Sequence, residues 1–290
     1  MSGKIDLHAH TTASDGCLTP IELVDLALVK GLTLLAVTDH DSTEGVAAAL
    51  DRASGTPLEV WPGVELSTDI ERSEVHMLGY FVDPAAKEFE EMLFRLRDSR
   101  IGRAQRMVEK LNEQGMAVSF ARVREIAGDG AIGRPHVAQA LVEAGFVADA
   151  KEAFDRFLGR TGPAYAERFK LVPTGAIKLI VEAGGMPVLA HPMYISREPG
   201  FKLRPFVAEL AAAGLVGIEC YYADASDAVV RDIESVAAEF GLIPTGGTDF
   251  HGPGVYATEL GDRDIPTTTI ERMRAWRQLP RKVLTTTAPT

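Results

Sequence analysis

Short apolar runs alternate with helical segments along most of this chain, and nearly every run ends on a side chain able to bind a metal ion. Such alternation commits a chain to an α/β fold with a largely parallel sheet. Lys4 to Ala9 reads as the first strand, Leu32 to Thr38 as the second, Leu58 to Val64 as the third and Val75 to Val82 as the fourth. After a long helical stretch, strands return at Pro187 to Ala190, Val216 to Tyr221 and Leu242 to Gly246. These seven strands predict an incomplete parallel α/β barrel. The helix signals agree. Thr19 and Glu22 form a capping box around Pro20, and Gly31 stops that helix. Asp41 with Glu44, and Thr268 with Glu271, are read as further helix starts, and the tail from Leu279 as irregular.

Barrels of this kind place their chemistry at the carboxyl ends of the strands. His8, His10, His40, Glu65, His191, Asp249 and His251 all fall at or just after predicted strand ends. His8 and His10 are two apart, so they share one face of the first strand and can share a metal ion. Asp15 follows after a run of small polar residues that can turn back over the strand end. His76 is the exception, because it lies near the start of its strand. Either that boundary is misplaced or the strand runs in the opposite sense. Glu219 in the sixth strand is read as an ion-pair partner or a neighbour of the site, and is not counted among the ligands. Asp6, Asp39 and Asp41 could orient ligand imidazoles or serve turns and caps, and for Asp41 the cap is preferred.

Between about residues 100 and 165 no strand separates the helices expected at Ser119 to Ala127, Pro135 to Ala144 and Asp149 to Leu158. This stretch is read as a helical insertion in a discontinuous barrel made of residues 1–99 and 166–290. The net charge of −11 disfavours a grip on long nucleic acid. From Arg95 to Glu125, however, eight basic residues face four acidic ones. Most of these arginines are read as a solvated helix face, and the excess as a local attraction for small phosphorylated ligands. No run reaches the ~20 apolar residues of a membrane span. A cleavable leader is not expected, because His8 would be lost with it. Cys17 and Cys220 suggest no disulfide framework, which fits a reducing cytoplasm.

The chain resembles the PHP (polymerase and histidinol phosphatase) domain of the amidohydrolase superfamily. The resemblance rests on Asp6-Leu7-His8-Ala9-His10, Thr38-Asp39-His40-Asp41, Pro62-Gly63-Val64-Glu65, Val75-His76, Ala190-His191-Pro192 and Thr248-Asp249-Phe250-His251. It implies a distorted seven-stranded (β/α)7 barrel holding two to three divalent metal ions. By the family pattern His8, His10, Glu65 and Asp249 hold one ion. Glu65 bridges to a second, shared with His76 and His191. Asp15, His40 and His251 hold the third, with Asp15 where many members have His. Nitrogen and carboxylate donors without thiolate suit Mn²⁺ first, then Zn²⁺ or Fe²⁺. A water between two such cations becomes a nucleophile near neutral pH.

Ile132-Gly133-Arg134-Pro135-His136 and Phe169-Lys170 resemble segments of a subgroup that removes phosphate from nucleotides or trims nucleotides from RNA 5′ ends. The resemblance makes Arg134, His136 and Lys170 a phosphate clamp facing the metals, with Arg134 and His136 assisting the chemistry. The bland reading of the first segment is a helix cap with a surface histidine. The expected activity is release of the 3′-phosphate from a 3′,5′-nucleotide bisphosphate. The alternatives are a 5′→3′ exoribonuclease on short RNA, a histidinol phosphatase, an amidohydrolase and an idle module. No membrane and no stable complex with long nucleic acid are expected.

Overall fold

The computed structural model describes residues 3–71, 73–128, 132–255 and 257–279. One seven-stranded sheet carries the strands in chain order. They are β1 (Lys4–Asp6), β2 (Leu32–Val37), β3 (Glu59–Ile70), β4 (Ser73–Tyr80), β5 (Met186–Leu189), β6 (Gly217–Tyr222) and β7 (Ile243–Gly247). β1 to β3 are parallel, as are β5 to β7. β4 is antiparallel to both β3 and β5. Phe250 after β7 bonds back to the chain after β1, giving its carbonyl to His10 N–H at 2.8 Å and its N–H to the His8 carbonyl at 3.2 Å. The sheet therefore curls into a nearly closed, distorted (β/α)7 barrel.

Two sequence readings are resolved here. β4 does run in the opposite sense, so the start of β4, with His76, lies at the same barrel end as the other histidines. β3 does not stop at Glu65 but continues to Ile70 as one arm of a hairpin with β4, so Glu65 sits inside a strand. Hairpin pairing supplies the backbone partners that let β3 outlast its neighbours.

The helices are α1 (Pro20–Val29), α2 (Glu44–Ala53), α3 (Lys87–Glu113), α4 (Phe120–Ala127), α5 (Arg134–Glu143), α6 (Ala150–Ala153), α7 (Pro173–Glu182), α8 (Pro192–Ile195), α9 (Leu203–Ala212), α10 (Asp227–Glu239) and α11 (Thr267–Gln278). A π-helical turn, Phe154–Leu158, follows α6. α1 starts on the expected capping box, with both Thr19 and Glu22 bonds made, and ends at Gly31, whose φ of 73° suits glycine. Two expected caps are absent. α2 is preceded by Thr43 rather than Asp41, and α11 by Pro266, with no side-chain cap at either. Asp41 is drawn away by arginines, as described below.

α3 is about 40 Å long at 1.5 Å per residue. Its first half packs Phe89, Leu93 and Leu96 into the barrel core. Its second half packs Met107, Val108 and Leu111 with Val123, Val137, Leu141 and Leu158 in a separate cluster. The boundary drawn at residue 99 thus falls inside one continuous helix. The tail after Leu279 lies outside the described residues. Among the described residues no helix is long and apolar enough to cross a membrane.

Candidate metal centre and anion cavity

Six of the seven histidines converge at the barrel's open end. Glu65 is the common partner of five of them, although it is fully buried. Its Oε2 lies 3.2 Å from His8 Nε2, 3.2 Å from His10 Nε2 and 3.1 Å from His40 Nδ1. Its Oε1 lies 2.9 Å from His76 Nδ1 and 3.0 Å from His191 Nε2. Asp249 Oδ1 closes the ring at 3.3 Å from His8 Nε2 and 3.0 Å from His10 Nε2. On the far side of His10, Asp15 Oδ1 is 3.3 Å from His251 Nε2, and Asp15 Oδ2 is 3.9 Å from His40 Nε2. The backbone bends hard to achieve this. Asp41, His191 and Asp249 have φ values of 51°, 27° and 53°, where non-glycine residues are uncommon. Strain of this sort collects at functional sites.

The donor atoms fit cations. Nine buried side-chain atoms among the described residues make no hydrogen bond, and six of them are His8 Nε2, His10 Nε2, Asp15 Oδ1, His40 Nδ1, Glu65 Oε2 and Asp249 Oδ1. Orphaned buried polar atoms are costly, so six aimed into one space call for a partner. Three groups of donors lie within 4.8 Å of one another: His8, His10, Glu65 and Asp249; His10, Asp15, His40 and His251; and His40, Glu65 and His76. His191 reaches the third group through the Glu65 oxygen it shares with His76.

The carboxylates hold protons on the imidazoles beside them. Burial opposes protonation of His8, but Asp249, Glu65 and Glu219 outweigh it and hold its pKa well above the usual range. Burial also opposes protonation of His10, yet Asp249 and Glu65 raise it to about 10. His40, where burial wins, is pushed down to about 3. Glu65 and Asp15 stay ionised, because the surrounding imidazoles outweigh burial. Ligand imidazoles must be neutral, so cation loading should release protons and tighten as pH rises. Titration in weak buffer, followed with a pH electrode, measures the release.

Glu219 belongs to this site, which the sequence reading did not claim. It is fully buried in β6. Its Oε1 pairs with His8 Nδ1 at 3.1 Å, and its Oε2 accepts the His191 N–H at 2.7 Å. Placing the His8 proton on Nδ1 leaves the Nε2 lone pair for a cation. Glu219→Gln should weaken cation affinity about 10–100-fold, the usual cost of losing such a partner. An unchanged affinity in a metal titration would show that Glu219 only fills the core. Asp249 is held in a similar way, with Tyr222 donating to its Oδ2 at 2.9 Å. Asp6 and Asp39 do not bond the imidazoles. Asp6 ties His8, Thr248 and Gly261 backbone N–H groups, while Asp39 ties Thr11 and Ser14. Asp15→Ala should lower bound metal by about one ion while leaving the His8–Glu65–Asp249 group intact. Elemental analysis reads this directly, and an unchanged count would make Asp15 a loop residue.

Above these donors lies a cavity of about 270 Å³ with a strongly basic wall. Arg134 lines it, together with Arg100, Arg103 and Arg168, which the sequence reading did not single out. Arg100 and Arg103 are only 7% and 4% exposed, so they are not part of a solvated helix face. They occupy the apolar stripe of α3, between Leu96 and Met107. A charge at a stripe position was the available signal. Arg100 donates to Asp41 Oδ2 at 2.8 Å and to Ser67 Oγ at 2.6 Å. Burial and neighbouring arginines push Arg103 down to about 9. Burial and Arg100 bring Arg168 to about 10. Arg103 Nη1 and Arg168 Nε have no hydrogen-bond partner. This wall is short of an anion.

The other expected clamp residues are placed differently. Lys170 does not line the cavity; its ammonium bonds Glu74 and lies 3.5 Å from Asp69. His136 is not on the cavity wall either. Its Nδ1 accepts the Gly133 N–H at 2.9 Å, so it does cap α5. That bond puts the proton of the neutral ring on Nε2, and burial lowers its pKa.

The PHP domain profile matches residues 6–163. Over 283 residues the chain is 34% identical to the 3′,5′-nucleoside bisphosphate phosphatase of Chromobacterium violaceum, covering 97% of this chain and 98% of that one. It is 34% identical over 250 residues to the 5′-3′ exoribonuclease Rnm of Escherichia coli, covering 86% and 85%. A solved structure from Bifidobacterium adolescentis, described as that of a metal-dependent phosphoesterase, superposes with a TM-score of 0.86 at 30% identity, covering 95% of this chain and 96% of that one.

Proposed function

The chain belongs to the PHP domain family, and from that membership we propose that it is a metal-dependent phosphoesterase releasing the 3′-phosphate of a 3′,5′-nucleotide bisphosphate. Adenosine 3′,5′-bisphosphate would give AMP and phosphate. The observation that carries the reading is the pairing of two unmet demands in one place. Six orphaned buried donors call for cations, and a guanidinium wall beside them calls for an anion. A substrate with two phosphate groups on one ribose meets both.

His8, His10, Glu65 and Asp249 would hold one divalent cation, Glu65, His76 and His191 a second, and Asp15, His40 and His251 a third. Such cations, Mn²⁺ first by the donor types, polarise phosphoryl oxygens and bring the pKa of water to about 7. Hydrolysis breaks the bond between phosphorus and the ribose 3′-oxygen, which leaves with a proton as water oxygen joins phosphorus. Arg134 offsets charge on the phosphoryl oxygens. Arg103 and Arg168 receive the second phosphate with their unpaired N–H groups. Lys170 acts at one remove, by fixing Glu74 beside Arg134. His136 also acts at one remove, its Nδ1 capping α5 and so fixing Arg134 in the first turn of that helix.

A 5′→3′ exoribonuclease on short RNA uses the same parts, and the relative of that name is equally similar in identity. The acidic net charge of −11 favours the small substrate. We place the enzyme in the cytoplasm; Cys17 and Cys220 are both free thiols. A phosphate-release screen with Mn²⁺ over nucleoside mono- and bisphosphates, run beside a 5′-phosphorylated short RNA, tests the reading. Turnover of 3′,5′-bisphosphates above all others is expected. Degradation of the RNA alone would put the exoribonuclease first.

A further inference from the structure

Glu74 places a carboxylate inside a wall otherwise built to attract anions. It sits on β4 two residues before His76, hence on the same face, and lines the cavity with Arg103, Arg134 and Arg168. Its Oε2 accepts from Arg134 Nη2 at 2.5 Å, its Oε1 accepts from Lys170, and Arg103 Nη1 stands 3.6 Å away. The nearby carboxylates are engaged elsewhere. Asp41 holds Arg100 at 2.8 Å, and Asp69 holds Arg160 through two bonds of 2.9 Å. Of the carboxylates among the described residues that line the cavity, Asp15 and Asp249 stand with the cation donors, so Glu74 is the one an incoming phosphate meets on the arginine side.

Building on the bisphosphate phosphatase reading, we infer that Glu74 sets how much negative charge the wall admits, accepting a single phosphate at the substrate's 5′ end and rejecting a 5′-di- or triphosphate. The unpaired N–H groups of Arg103 and Arg168 can serve one phosphate group, which carries a charge of about −1.5 to −2 at neutral pH. Each further phosphate adds charge where Arg134 and Lys170 are already bonded to Glu74, and Arg100 to Asp41. Like charges brought together at a partly buried site are rejected strongly. The repulsion falls on the longer 5′ ends, so it acts through discrimination more than through affinity.

Wild type and Glu74→Gln, both loaded with the same cation, separate this role from simple positioning of Arg134. Glutamine keeps the size and one acceptor for Arg134 while removing the charge. Binding of AMP, ADP and ATP is measured by calorimetry, alongside kcat and KM for adenosine 3′-phosphates carrying one, two or three 5′-phosphates. Wild type should prefer the 5′-monophosphate in both series, and Glu74→Gln should reduce that preference about tenfold or more, mainly through Kd and KM. Equal weakening toward all three, or a wild type with no preference, overturns the inference. Absence of turnover in every substrate would overturn the phosphatase reading instead, while the nucleotide binding ratios still decide the role of Glu74.

Discussion

Glu65→Ala should lose its bound cations and lower phosphate release by on the order of a thousandfold, since cation stabilisation of the transition state is worth several kcal/mol. Among the described residues no other side chain is touched by so many imidazoles. His8, His10 and His40 meet one of its oxygens, and His76 and His191 meet the other. Removing the carboxylate takes away the anion that bridges two donor groups. The five rings are then left facing one another across a buried space. Circular dichroism checks that the barrel still folds, and elemental analysis counts the metal. Glu65→Gln is the companion variant. It keeps the volume but replaces one carboxylate oxygen with an NH₂ that cannot ligate, so it too should lose metal. Full turnover in metal-free Glu65→Ala protein would remove the basis for a metal centre.

Arg134→Ala should keep its cations and still lose about 2–4 kcal/mol of transition-state stabilisation, roughly 30- to 1000-fold in kcat/KM. Arg134 is no ligand. It lines the cavity, lies over the Phe154 ring with its guanidinium 5.5 Å from the centroid, and bonds Glu74. Ring and carboxylate together fix its direction before substrate arrives, which is what makes a charge donor effective. Phe154 opens the π-helical turn after α6, a rare geometry that recurs at functional sites. Metal content and kinetics measured on one preparation separate the roles. Normal turnover with normal metal would assign the basic wall to some other ligand.

Buried parallel strands are continuous apolar runs, so β2 and β5 to β7 could be read from the sequence to within a residue or two at either end. Strand direction is not encoded in such a run. The reversed β4 showed itself only through His76, out of place under a parallel reading. The hairpin that lengthens β3 past Glu65 was hidden by Ser67, Thr68 and Asp69, whose polarity mimics a strand end. The metal-facing histidines were legible because loops after strands of such a barrel share one end. Their outer partners were less so. Glu219 interrupts the apolar strand Ile218 to Tyr222, and a lone charge there also suits an ordinary ion pair. Arg100 and Arg103 needed helical phase to be noticed. Arg168 lies outside any helix or strand, where no periodicity exists to flag it. Lys170 and His136 were singled out by sequence likeness, yet the distances give Lys170 to Glu74 and the His136 Nδ1 to a helix cap. Sequence order said which residues approach the barrel end, but not which of them turn toward one another.

We propose that one cavity unites a cation centre with an arginine wall for a doubly phosphorylated nucleotide. The most direct measurement of this is phosphate release from adenosine 3′,5′-bisphosphate by protein stripped with chelator, then reloaded stepwise with Mn²⁺ and assayed for bound metal at each step. AMP and phosphate should form in equal amounts, be absent from the stripped protein, and rise with bound ion. A stripped protein that hydrolyses the bisphosphate as fast as the reloaded one, or a fully loaded one that leaves it intact, would contradict the account.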